Sequence, residues 1–267
     1  MERDLAGAPE EERGFDRDLA DDATGALRDA APDILAPIDA SSPVSGHVIA
    51  REASHSVTEA PEHDWQAASE ILYPLLRPAG TQGLAVTEID EAALAADTSR
   101  SHSQPIVDEG PCGLVVVYAM HSAGFDVIVN GDHLLSWGVP VGDVQEAALR
   151  NLAAWSAGAA WTDEVSGERR LLSSDTGEGW DAARILLPDV LDRLWNELRE
   201  AGRVLIGVPE RHLLIAGALR PDDEEFANLF SEFVVEQSGG ADEPVDRRVF
   251  ELVDGRLTEF AAAAAPA

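Results

Sequence analysis

The chain has 267 residues, with 50 Asp and Glu against 19 basic residues and a formal net charge of −31. Every basic residue is Arg, so Schiff-base and other lysine chemistry is excluded, and the charge repels polyanions such as nucleic acid. A single cysteine, Cys112, excludes an intrachain disulfide framework and a cysteine-built zinc site.

Residues 1–40 are rich in Ala, Asp, Glu and Arg and read as a peripheral acidic segment, partly helical or disordered. The opening stretch has neither the basic start nor the apolar core of a signal peptide, and no apolar run is long enough to span a bilayer, so a cytoplasmic location without membrane contact is expected. Residues 41–110 form a variable first part of the globular region, with a strand over 44–49 and helical spacing from Trp65 to Leu72. That helix meets Pro74, which favours an extended 71–73.

Signals sharpen over 111–260, the expected main α/β domain. Residues 114–118, Leu-Val-Val-Val-Tyr, are a β-branched run that suits a central strand, and 125–129 alternate as its hairpin partner. Asp143 stands three residues before Glu146 and predicts an N-cap, followed by an apolar stripe of Val144, Ala148, Leu152 and Trp155. A short strand at 171–173 leads into Asp-Thr-Gly-Glu-Gly-Trp at 175–180, after which Asp181 is placed as a helix cap.

Val190, Leu194 and Leu198 mark the next helix, with Gly202 as its expected stop. Strands are predicted at 204–208 and 213–216. Asp222 and Glu225 repeat the capping spacing before Phe226, Leu229, Phe230 and Phe233. Asp254-Gly255 is a two-residue hairpin turn between 249–253 and 256–260, and a disordered Ala-rich tail is expected over 261–267. The mixture lacks a βαβ repeat and predicts an α+β fold, with a mixed or largely antiparallel sheet, packed helices and a division into two subdomains.

From about residue 71 to 260 the chain resembles the YtpQ-like family, a domain-of-unknown-function family in bacteria. The resemblance rests on ordered blocks. Ile71-Leu72-Tyr73-Pro74-Leu75-Leu76-Arg77 looks like that family's Tyr/Phe-Pro-Val-Ile-Arg segment, and Asp175 through Leu186 looks like its Gly-Asp-Gly-Tyr-Asp-Ala-Ser-Arg-Ile-Leu block. Val208-Pro209, Leu213-Leu214-Ile215, Phe250 and Asp254-Gly255 follow in the same order. Trp180 stands where Tyr is usual, Ala183 where Ser is, and His121 where Asp is. The family carries no activity to transfer.

The candidate site is the 175–184 loop, through Asp175, Gly177, Gly179, Trp180, Asp181 and Arg184. Two glycines allow a tight turn, and Arg184 could hold a carboxylate or phosphate on two N–H groups. The competing reading is a structural turn with Arg184 paired internally. Asn151, near the apolar stripe of its helix, and Arg211 are candidate polar supports. His47, His55 and His63 recur at eight-residue intervals, which matches no metal motif, so neither a metal nor a cofactor is expected. No phosphate loop, dinucleotide fingerprint or nucleophile elbow is present. The leading expectation is a non-catalytic binding or scaffold protein whose acidic surface suits a basic protein partner, with a homo-oligomer compatible. The alternative is a small-molecule enzyme or anionic-metabolite sensor centred on the loop.

Overall fold

A computed structural model describes residues 61–97, 101–122 and 124–261, all within the unit His55–Ala267. The expected segment 1–40, the strand at 44–49, His47, His55 and the tail beyond Ala261 lie outside the described residues. The fold is α+β, with two sheets and packed helices.

Helix α1, Trp65–Glu70, is capped by Asp64, whose side chain accepts from the Gln66 amide. It leads into β1, Leu72–Arg77, which passes through Pro74 without a break. Pro74 is tolerated because β1 lies at the edge of its sheet, where a missing N–H costs little. After β2, Leu84–Ala85, a short helix α2, Glu91–Ala96, is capped by Asp90. Strands β3, Ile106–Glu109, β4, Val115–Ser122, and β5, Phe125–Ile128, complete the first sheet.

β4 is central, as its β-branched run implies: β1 pairs along one side, and β3 and β5 follow each other along the other. The β2–β3 pair is parallel and the other pairs in this sheet are antiparallel. A helix that periodicity did not reveal, α3, Gly131–Trp137, opens with a reciprocal cap between Asn130 and His133 and closes at left-handed Gly138. Helix α4, Val141–Gly158, begins after Pro140 with no side-chain cap. Asp143 is therefore inside the first turn, where its charge suits the helix dipole, and is not the N-cap. Its stripe is as expected, with Val144, Ala148 and Leu152 buried.

The second sheet runs β11 (Arg256–Glu259), β10 (Phe250–Val253), β8 (Arg203–Glu210), β9 (Leu213–Leu219), β7 (Arg169–Ser174), β6 (Thr162–Ser166) and is antiparallel throughout. β6, Thr162–Ser166, is an exposed edge with no buried residue; it pairs with β7, Arg169–Ser174. A 3-10 turn, Ala182–Leu186, precedes helix α5, Pro188–Leu198, in which Pro188 takes the first-turn position that lacks a hydrogen-bond demand. Gly202 does not stop α5, which ends at Leu198. It is required instead by close approach, since a Cβ there would lie 2.0 Å from the Leu219 carbonyl oxygen.

β8, Arg203–Glu210, and β9, Leu213–Leu219, are buried on both faces, and their alternation divides the core. Val204, Ile206, Val208, Leu214, Ala216 and Ala218 join the main core, whereas Leu205, Leu213, Ile215 and Leu219 face helix α6, Glu224–Gly240. α6 is capped by Asp223, one residue later than predicted: its carboxylate accepts from the Phe226 amide, while Asp222 adopts a left-handed φ of 64°. Phe226 and Phe230 are core, but Leu229 and Phe233 are exposed. β10, Phe250–Val253, and β11, Arg256–Glu259, turn at Asp254 and Gly255, both at positive φ as a two-residue hairpin demands.

Candidate functional site

The 182–186 turn is the wedge of the molecule, touching β1, α4, α5, β8 and β9. Asp181, just before it, is fully buried. Its carboxylate does not cap the turn. It reaches back to the end of β7, accepting from Ser174 Oγ at 2.5 Å, Thr176 Oγ1 at 2.8 Å and the Thr176 amide at 3.3 Å. These bonds beat capping because a 3-10 turn offers few free amides, while a buried carboxylate needs several donors.

Arg184 is 1% exposed and among the described residues makes no direct contact with a carboxylate. Its Nη1 donates to Ser174 Oγ at 2.6 Å, its Nε to Ser156 Oγ at 2.9 Å and its Nη2 to the Ser156 carbonyl at 3.0 Å. Asp181 is thus reached only through the Ser174 hydroxyl. A guanidinium carries five N–H groups, so one on each Nη is left without an acceptor among the described residues. The cation lies 4.2 Å from the centre of the Trp161 ring and 5.6 Å from that of Trp155. Burial pushes the Arg184 pKa down to about 10, with Asp181 opposing the shift and Arg193 adding to it. It remains charged at neutral pH.

Arg184 borders a cleft of about 610 Å³ between one face of α4 and the start of α5. Leu149, Ala153 and Ala157 line it from α4, and Leu187, Pro188 and Val190 from the α5 side. Arg150, Arg193, Glu146 and Asp189 surround it, and Trp161 lines it too, with a buried indole N–H that has no acceptor among the described residues.

The rest of the loop is closed. Trp180 is buried, stacked on Tyr73 with ring centres 4.3 Å apart and edge-on to His121 at 5.3 Å. Gly177 and Gly179 both have positive φ. Gly179 has a second constraint, because a Cβ there would meet Arg211 Nη2 at 2.5 Å. Arg211 is itself a clamp: Nη1 binds Asp126 of β5 at 2.6 Å and Glu243 at 2.7 Å, and Nε donates to the Gly179 carbonyl at 3.4 Å. Arg77 also holds Glu243, at 2.9 Å. Glu178 accepts from the Trp155 indole at 2.7 Å, closing the loop onto α4, and Asp175 is exposed. Asn151 lies apart from the loop, donating to the Ser69 and Leu72 carbonyls, both at 2.8 Å, and pinning the α1–β1 junction to α4.

Sequence reasoning missed Ser156, Ser174 and Asp126. One signal was present: Ser156 extends the series Val144, Ala148, Leu152 by another four residues, so a hydroxyl stands where the buried stripe continues.

Among the described residues no group of three or more His, Cys, Asp or Glu side chains is arranged to hold a metal ion, and no helix is long and apolar enough to cross a membrane. No family model matches the chain, and no curated protein or solved structure matches it significantly.

Proposed function

We propose that the protein is a non-catalytic, cytoplasmic binding or scaffold protein that receives a basic protein segment on the outer face of α6. The observation that carries this reading is the composition of that face. At 100° per residue, Leu229, Glu232, Phe233 and Glu236 fall on one side of α6, away from the buried Val234 and Ser238. Leu229 is 50% and Phe233 39% exposed, and Glu232 and Glu236 are exposed beside them. Apolar anchors flanked by carboxylates suit an amphipathic helix with Leu-type residues on one stripe and Lys or Arg on its borders.

Internal pairing of the arginines also supports it. Arg169, Arg170, Arg203, Arg211, Arg220 and Arg248 are each bound to carboxylates of this chain. That leaves little positive surface for a nucleic-acid backbone, which is not a partner on this reading, while a homo-oligomer remains compatible. Burial of Asp181 and Trp180 supports the 175–181 segment as a structural lock, in preference to an enzyme or sensor site centred on it.

The test is a titration with a labelled Leu/Lys amphipathic peptide and its Leu/Glu counterpart. The basic peptide is expected to bind and to weaken with salt, the acidic one not to bind. Glu232→Arg with Glu236→Arg should abolish binding although the chain stays strongly negative. Equal binding by that double variant would mean diffuse charge attraction only, and the reading would fail.

A further inference from the structure

Independently of the α6 face, we infer that the cleft between α4 and α5 binds a small organic carboxylate with an apolar body. Three observations converge there. First, Arg184 is buried beside the cleft and held by two serines, with no carboxylate in contact and two N–H groups without an acceptor among the described residues. A buried cation is costly unless paired, and here the nearest internal counter-charge, Asp181, stands behind Ser174. A two-oxygen head group is the complement of two N–H groups on one planar fork.

Second, three arginines, Arg184, Arg193 and Arg150, line one cleft. Arg193 lines the same cleft, 5.1 Å from the Trp161 ring that Arg184 also faces. Among the described residues its one carboxylate contact is Glu197, at 3.9 Å. Arg150 lines the rim with no ion pair among the described residues. Against the two carboxylates of Glu146 and Asp189, these three guanidiniums leave the cleft with a positive balance that an anion would offset.

Third, the remaining lining selects the ligand class. Leu149, Ala153, Ala157, Leu187 and Val190 give an apolar wall, and Trp161 adds an aromatic face. The volume of about 610 Å³ suits a molecule of metabolite size. Glu146 and Asp189 also line the cleft. They disfavour a doubly charged phosphate and leave a monoanion as the better match.

The experiment is calorimetry and thermal unfolding of the full chain with 3-phenylpropionate, octanoate and indole-3-propionate. Controls are the amide of 3-phenylpropionate and inorganic phosphate. At least one carboxylate is expected to bind with one site per chain and to raise the unfolding midpoint, and the amide and phosphate to do so far more weakly. Arg193→Gln, at an exposed position that should leave folding intact, is expected to lower affinity about tenfold. Leu149→Glu, which places a like charge on the wall, should do the same. The proposal is overturned if no carboxylate gives heat or a midpoint shift, if the amide binds as well as the acid, or if both variants bind like wild type. None of these outcomes bears on the α6 face, whose test uses different residues and a different partner.

Discussion

Arg184 is the longest side chain sealed in this core, and serines hold it where a carboxylate would be expected. Ser174 acts as a relay, donating to Asp181 and accepting from Arg184, so a single hydroxyl sits between two buried charges. Truncating the arginine removes three charge-assisted hydrogen bonds, opens a hole beside Trp161 and leaves Asp181 without its nearby cation. Arg184→Ala should therefore lower the unfolding free energy by about 1–3 kcal/mol. Asp175→Ala, on the exposed side of the same loop, should change it by less than about 0.5 kcal/mol. Denaturant unfolding of the two variants checks this directly. An Arg184→Ala protein as stable as wild type would show that the Ser174 relay contributes nothing, and the lock reading of the loop would have to be abandoned.

At the scale of elements, α6 lies on the second sheet because two glycines clear its path. A Cβ at Gly207 would come 2.6 Å from Val234 Cγ2, and one at Gly217 would come 2.8 Å from Phe226 Cζ. Alanine normally gains roughly 0.5–1 kcal/mol over glycine inside a strand. Here the overpacking should outweigh that, so Gly217→Ala is expected to destabilise by about 1–3 kcal/mol. Adding Phe226→Leu, which removes the obstructing ring atoms, should recover part of the loss in equilibrium unfolding. A more stable Gly217→Ala protein would mean that α6 shifts freely.

The same elements show what was legible beforehand. β4, β8, β9 and the Asp254-Gly255 hairpin announce themselves because their signals are local: apolar runs and a turn that only certain residues permit. α3 was missed because its cap is made by Asn130 and a histidine in place of an acidic residue. β6 was missed because an exposed edge carries no burial pattern. At Asp143 and Asp222 the capping spacing was present, but Pro140 and Asp223 took the N-cap position, and Asp181, placed as a cap before 182, is drawn to Ser174 instead. The loop was visible as a site of interest, while its partners Ser156 and Asp126 come from distant segments that no local pattern links to it.

Taken as a whole molecule, the two sheets are tied across their junction by a charged clamp. Arg211 leaves the turn between β8 and β9, crosses Trp180, and binds Asp126 of the first sheet and Glu243 beyond α6, while Arg77 of β1 also holds Glu243. Burial raises the Asp126 pKa, but the bonds from His121 and Arg211 outweigh it and hold the carboxyl below its ordinary value. Glu243 is likewise lowered, by Arg211 and Arg77 against burial. Groups with depressed folded-state values contribute fully above the unfolded carboxylate range, near pH 4, and lose that contribution as pH falls through their folded values. Arg211→Leu should thus destabilise most at neutral pH, by about 2–4 kcal/mol. The gap to wild type should narrow steadily below about pH 4. Urea unfolding of both proteins from neutral to acid pH measures it. A gap that stays constant with pH would assign the role of Arg211 to its packing on Trp180 and Gly179, because only the ionic part of the clamp can titrate away.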